Sequence, residues 1–187
     1  PEWNVTLVDD LAPLPELRLQ VDERPQGWRS EPATAELRFH YGNVVITPAE
    51  IGHQLVDPAG RRLIRRHSDT EQRYLQRFLG LGGRQDAYYG LAVPRRRLTD
   101  LVLTLVGEGW QVSGNAALYR RPGKFQLHVR SGIDWFDLDG QLDFDGQTAT
   151  LPALLAAARH GEKFVRLDDG SLGVLPEDWL ARHERWL

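Results

Sequence analysis

QLDFDGQTATLPALLAAARHGEKFVRLDDGSLGVL, residues 141–175, decides the fold. Leu142 and Phe144 alternate with polar residues, Asp145 and Gly146 form a hairpin-turn dipeptide, and residues 148–151 return before Pro152. Leu151, Leu154, Leu155 and Ala158 then fall at helical spacing, with Gly161 as the stop. Residues 164–167, the turn Asp168-Asp169-Gly170 and residues 172–175 make a second hairpin. Pro176 opens a last predicted helix with Trp179, Leu180 and His183 on one side. A period of two that switches to 3.6 and back predicts α+β: antiparallel sheets and hairpins with helices on one face.

The same grammar stands upstream. Leu37, Phe39 and Tyr41 alternate, Gly42-Asn43 turns the chain, and residues 44–46 return before Pro48. Residues 53–56 and 61–64 form a second predicted strand pair around Asp57-Pro58-Ala59-Gly60. Ser68 and Glu71 have capping-box spacing, and the helix they open carries Tyr74, Leu75, Phe78 and Leu79 on one face before ending at Gly80. Both halves therefore read as ββ(α)ββα, and the first hairpins share the frame Leu-x-Phe, then Gly, then Ile or Leu near Pro. The likeness reads either as an internal duplication or as two uses of common β grammar. Between the halves, Leu98, Leu101, Val102 and Leu105 mark an amphipathic helix, and residues 110–112 and 125–129 read as strands. The organisation expected is an irregular lead-in over 1–34 with one strand near residues 17–21, a first α+β unit over 35–130, and a second over 131–187.

Composition narrows the class. The 187 residues are 41% hydrophobic with a net charge of −3, which suits a folded globular chain rather than a disordered one. No apolar run approaches the ~20 residues of a membrane span. The absence of cysteine excludes a disulfide scaffold and a thiolate zinc site and fits a reducing, cytoplasmic compartment. No methionine is present and the chain opens on Pro1, so it reads as a piece of a longer polypeptide. Charge is arranged in blocks: residues 60–130 carry 14 basic and 5 acidic groups, whereas 1–59 carry 4 and 10, and 131–187 carry 5 and 11. The basic middle reads either as an anion-binding face or as charge neutralised by its acidic flanks. Only Lys124 and Lys163 are lysines among the 23 basic residues, a bias typical of GC-rich coding that weakens any nucleic-acid reading of arginine runs.

Few side chains offer chemistry. The sequence has no phosphate loop and no Gly-x-Ser-x-Gly elbow, and no two of its six histidines stand at i, i+4 metal-ligand spacing. Asp134, Asp137, Asp139, Asp143 and Asp145 are the best candidates for hydrolysis or a hard cation. However, Asp139, Asp143 and Asp145 share strand parity on the expected solvent face, where they suit a structural role. Arg61, Arg62, Arg65 and Arg66 bracket one strand, so both its faces carry positive charge; it reads as an edge, and the four are candidate contacts for nucleic acid or an acidic partner. Arg95, Arg96 and Arg97 open the helix containing Leu98, against its macrodipole, a locally disfavoured choice that points to phosphate or an acidic protein surface.

Residues 132–140, GIDWFDLDG, followed by the hairpin, the helix and FVRLDDGSLGVLPEDWL (164–180), resemble the helicase-associated N-terminal region of bacterial Swi/Snf-family ATPases. The specific likeness runs from Gly132 to Leu180, and the Phe39–Gly42 strand, the Arg61–Arg66 stretch and Gly109-Trp110 resemble that region more loosely. The resemblance implies a parent that hydrolyses ATP with Mg and translocates on DNA. It implies no catalytic, metal or cofactor residue in this segment. The partners it implies are the motor domains of the same polypeptide, with DNA or another protein as further partners and no membrane. Asp134, Trp135, Phe136, Asp137 and Trp179 are the candidate motor-docking residues, and the strand-and-turn pattern of residues 134–137 suits plain folding determinants equally well. The alternative is an independent DNA-binding module using the basic segment 60–130.

Overall fold

The computed structural model describes residues 5–21, 32–86, 90–115, 117–131 and 136–175. The fold is mixed α+β, rich in antiparallel sheet, with three helices among the described residues. The chain divides into two compact units, Pro1–Asn115 and Ala116–Leu187.

The first unit runs β1 (Thr6–Val8), β2 (Leu14–Gln20), β3 (Ala33–Tyr41), β4 (Val44–Ile46), β5 (Gln54–Asp57), β6 (Arg62–Arg65) and α1 (Ser68–Gly80). It continues with β7 (Arg84–Asp86), β8 (Gly90–Val93), α2 (Arg95–Gly107) and β9 (Gln111–Gly114). β2 lies antiparallel to β3 with Leu17 opposite Leu37, and β9 joins β2 in parallel with Val112 opposite Leu17. Along its other edge β3 takes β4 beside Phe39–Tyr41 and β8 beside Ala33–Ala35. A separate sheet orders β1-β6-β5, with β1 parallel to β6.

Alternation explains the core: Leu17, Leu19, Leu37, Phe39 and Tyr41 are all buried, together with Phe78 of α1 and Leu101, Val102, Leu105 and Val106 of α2. Each such side chain contributes about 1.5–3 kcal/mol on full burial. Tyr74 of α1 ties the rings together, 6.2 Å from Phe39 and edge-on to Trp110 at 5.3 Å.

The second unit runs β10 (Ala117–Arg120), β11 (Phe125–Ser131), β12 (Phe136–Phe144), β13 (Gln147–Thr150), α3 (Leu151–Arg159), β14 (Phe164–Arg166) and β15 (Leu172–Val174). β11-β12-β13 is an antiparallel meander, and β15 pairs antiparallel with β14 and parallel with β10. Asp145 and Gly146 have φ of 51° and 87°, the paired positive values that a tight two-residue hairpin turn requires. Leu142, Phe144, Leu151, Leu154, Val165, Leu167 and Leu175 form one core. Gly173 sits flat on the Phe144 ring, leaving no room for a Cβ.

The two units repeat one pattern of pairing. In each, a first strand runs parallel to the last (β1 with β6, β10 with β15), and the next three form a meander. The last two form a hairpin. The helix falls after the final hairpin in the first unit and between the hairpins in the second, and β7, β8, α2 and β9 are additions to the first. Turn register equates Phe144, opposite Gln147, with Tyr41, opposite Val44, so the frame read in the sequence, which matched Phe39 with Phe144, is shifted by two residues.

Other expectations also change. β10 and β11, read as part of the first unit, fall in the second. The lead-in contains β1 and β2, and β2 lies between β3 and β9. The final helix read from Pro176 lies outside the described residues.

Candidate functional site

Of the four arginines around β6, Arg62 and Arg65 lie in the strand, Arg61 in the turn before it at φ 48° and Arg66 directly after it; Arg62 and Arg66 are half-buried, whereas Arg61 and Arg65 are exposed. Arg62 lies 3.4 Å from Asp57, which is 2% exposed. The Arg66 side chain is 7% exposed and grips Glu71, with Nε donating to Oε1 at 2.9 Å and Nη2 to Oε2 at 2.7 Å. The Tyr41 hydroxyl donates to Glu71 Oε1 at 2.6 Å and accepts the His67 backbone N–H at 2.9 Å. Burial and the bond to Glu71 push the Tyr41 hydroxyl well above the ordinary phenol range, and the same carboxylate raises Arg66.

Two expectations are corrected here. β6 is a central strand, because β1 covers its other side through a parallel pairing that has no local signal. Ser68 and Glu71 form no capping box: His67 holds the cap position with no side-chain cap bond, and Glu71 is turned into the core by Arg66 and Tyr41.

Arg95, Arg96 and Arg97 occupy the first turn of α2, exposed, with Pro94 at the cap and no acidic residue in that turn. The Arg97 stem packs over Gly82, whose φ is 101° and whose added Cβ would lie 3.2 Å from Arg97 Cγ. These three arginines follow the end of β8, whereas Arg65 belongs to the β1-β6-β5 sheet and Arg61 to the turn that leads into β6.

Of the proposed motor-docking residues, Phe136 and Asp137 open β12 opposite Ser131 and Arg130. Their side chains, and Asp134, Trp135 and Trp179 entirely, lie outside the described residues. Within the acidic series, Asp143 accepts the Gly146 N–H at 3.2 Å and fixes the hairpin turn, and Asp145 stands 3.7 Å from Arg121. Asp139 is exposed opposite His128.

Two polar clusters had no sequence motif to announce them. In the first unit, Glu16 receives Arg18 Nε at 2.8 Å and pairs with His40 Nε2 at 2.7 Å. Burial works to raise the Glu16 pKa, but these bonds outweigh it and hold the carboxyl below its usual range. In the second, Asp169 binds the side chain and the backbone N–H of Ser171, then Arg120 Nη2 at 2.9 Å, and is likewise held low. A depression of about 640 Å³ opens beside the start of α1, lined among others by Asp9, Asp10, His53, Arg65, His67 and Arg73. Acidic and basic groups are mixed there.

No family model matches the chain, and no curated protein or solved structure matches it. No helix among the described residues is long and apolar enough to cross a membrane.

Proposed function

We propose that this chain is a non-catalytic accessory segment of a bacterial Swi/Snf-type DNA-dependent ATPase, a cytoplasmic protein, acting by contact with the motor domains of its own polypeptide or with a partner protein. ATP and Mg belong to the motor in this reading. One observation carries the contact role: buried and half-buried ionic groups serve the fold itself, while Leu7 and Val56 of one small sheet face solvent at 56% and 67% exposure, with Val5, just before β1, exposed at 53%. Tyr41, Glu71 and Arg66 bond one another in the first unit, and Arg120, Asp169 and Ser171 do so in the second. Exposed apolar side chains grouped on one face are a feature of protein-contact surfaces. The test is removal of residues 1–187 from the full-length polypeptide. DNA-stimulated ATP hydrolysis is expected to change in kcat or in its DNA dependence, and unchanged kinetics contradict the reading.

The exposed Arg95, Arg96 and Arg97, with no acid in the same helical turn, favour a second reading as a DNA-contacting module. It requires that binding weaken steeply with salt and that the triple alanine variant flatten the slope, by about 0.9 in the log–log plot for each phosphate the variant leaves unneutralised. Absence of binding at low salt removes it.

A further inference from the structure

We infer that the Asp145-Gly146 peptide is a site of spontaneous covalent modification, where aspartate rearranges to isoaspartate through a cyclic imide. The chain holds three Asp-Gly dipeptides, Asp139-Gly140, Asp145-Gly146 and Asp169-Gly170. Glycine carries no Cβ, so in each the backbone nitrogen that attacks the aspartate carboxyl is unhindered. What holds the two reacting groups separates the three. The Asp169 carboxylate accepts the Ser171 backbone N–H at 3.0 Å, Arg120 Nη2 at 2.9 Å and the Ser171 hydroxyl. The Gly170 N–H donates to the Leu167 carbonyl at 2.9 Å. An anion held by three donors is a poor electrophile, and a carbonyl is no base for the N–H proton. Asp139 is exposed, but Gly140 is buried in β12 opposite Leu127, so its nitrogen reaches the carboxyl only if the meander opens.

Asp145 and Gly146 are both exposed, at the turn between β12 and β13. The Asp145 carboxylate has Arg121 at 3.7 Å, the two side chains being 52% and 58% exposed. The Gly146 N–H donates to Asp143 Oδ1 at 3.2 Å, so a carboxylate already holds the proton that must leave. Gly146 N attacks Asp145 Cγ and a C–N bond forms. The N–H proton passes to Asp143, and the hydroxyl of the protonated Asp145 carboxyl takes it up and leaves as water. Water then adds to the imide. Addition at Cγ restores aspartate; addition at the main-chain carbonyl breaks its bond to Gly146 N and leaves the chain running through Cβ. One water is lost and one gained, so the mass is unchanged. The product lengthens by one methylene a turn whose two residues stand at φ 51° and 87°.

The test incubates the 187-residue chain folded in buffer and unfolded in urea until the unfolded chain has reacted. Isoaspartate is located by peptide mapping and by enzymatic methylation with a labelled S-adenosyl donor. Unfolded, the three dipeptides are expected to react at comparable rates; folded, Asp145 is expected to react well ahead of Asp139 and Asp169. Asp143→Asn keeps an acceptor for the Gly146 N–H but supplies no base. It is expected to slow Asp145 at least about ten-fold, a small part of what a positioned base gives an enzyme. An unchanged circular dichroism spectrum and urea midpoint verify that this variant is folded. Equal rates at the three sites in the folded chain, faster reaction at Asp139 or Asp169, or no isoaspartate at Asp145 overturns the proposal. An unchanged rate in folded Asp143→Asn overturns it as well.

Discussion

Glu71 separates two accounts of how α1 is anchored. If it served a capping box, Ser68 and Glu71 would matter about equally, roughly 1 kcal/mol each. The structure makes them unequal. The Glu71 side chain is 5% exposed and holds both Arg66, at 7%, and the Tyr41 hydroxyl. Glu71→Ala leaves a buried guanidinium and a buried hydroxyl without their acceptor, and breaking a buried pair in this way costs about 3–5 kcal/mol. Tyr41→Phe removes the charge-assisted bond to Glu71 and the acceptor of the His67 N–H, and costs at least about 1.5–3 kcal/mol. Ser68 is exposed and makes no cap bond, so Ser68→Ala stays within about 0.5 kcal/mol. Urea unfolding followed by tryptophan fluorescence reads these values as midpoint shifts at constant slope. A Glu71→Ala loss below about 1 kcal/mol, or a Ser68→Ala loss equal to it, would refute the buried-network account.

The second unit offers a steric test. Gly173→Ala sets a Cβ 2.6 Å from the Phe144 ring and is expected to cost about 1–3 kcal/mol by thermal unfolding, whereas wild-type stability would show that the sheet can move aside. Stability should fall at both extremes of pH. Glu16 and Asp169 are held below their ordinary values, so the stability they contribute is complete above about pH 4 and is lost as pH falls through those lowered values. Tyr41 is raised, so its contribution is complete below about pH 10 and is lost as pH rises further. Midpoints measured against pH should show the alkaline limb flattened in Tyr41→Phe and the acid limb flattened in Asp169→Asn, and unaltered limbs would contradict these assignments.

What the sequence made legible was local. The turns at Gly42-Asn43 and Asp145-Gly146, the stop at Gly80 and the apolar face of α2 each depend on neighbouring residues, and each forms as expected. The parallel pairings of β1 with β6, β10 with β15 and β2 with β9 join distant segments and leave no local mark, so β6 read as an edge. Parity showed that Arg62 and Arg66 face away from Arg65 but could not show that Asp57 and Glu71 wait for them. The apolar row across β1, β6 and β5 was hidden for the same reason: Leu7, Leu63 and Val56 carry no pattern in sequence until three strands bring them into register.

The most direct test of the proposed contact role is amide hydrogen exchange, comparing the isolated chain with the longer motor polypeptide that the proposal implies. Slower exchange over residues 5–8 and 54–65 in the full-length protein is predicted, because the open face of β1, β6 and β5 is covered there. Identical exchange in both would contradict the claim that this chain works by contact through that face.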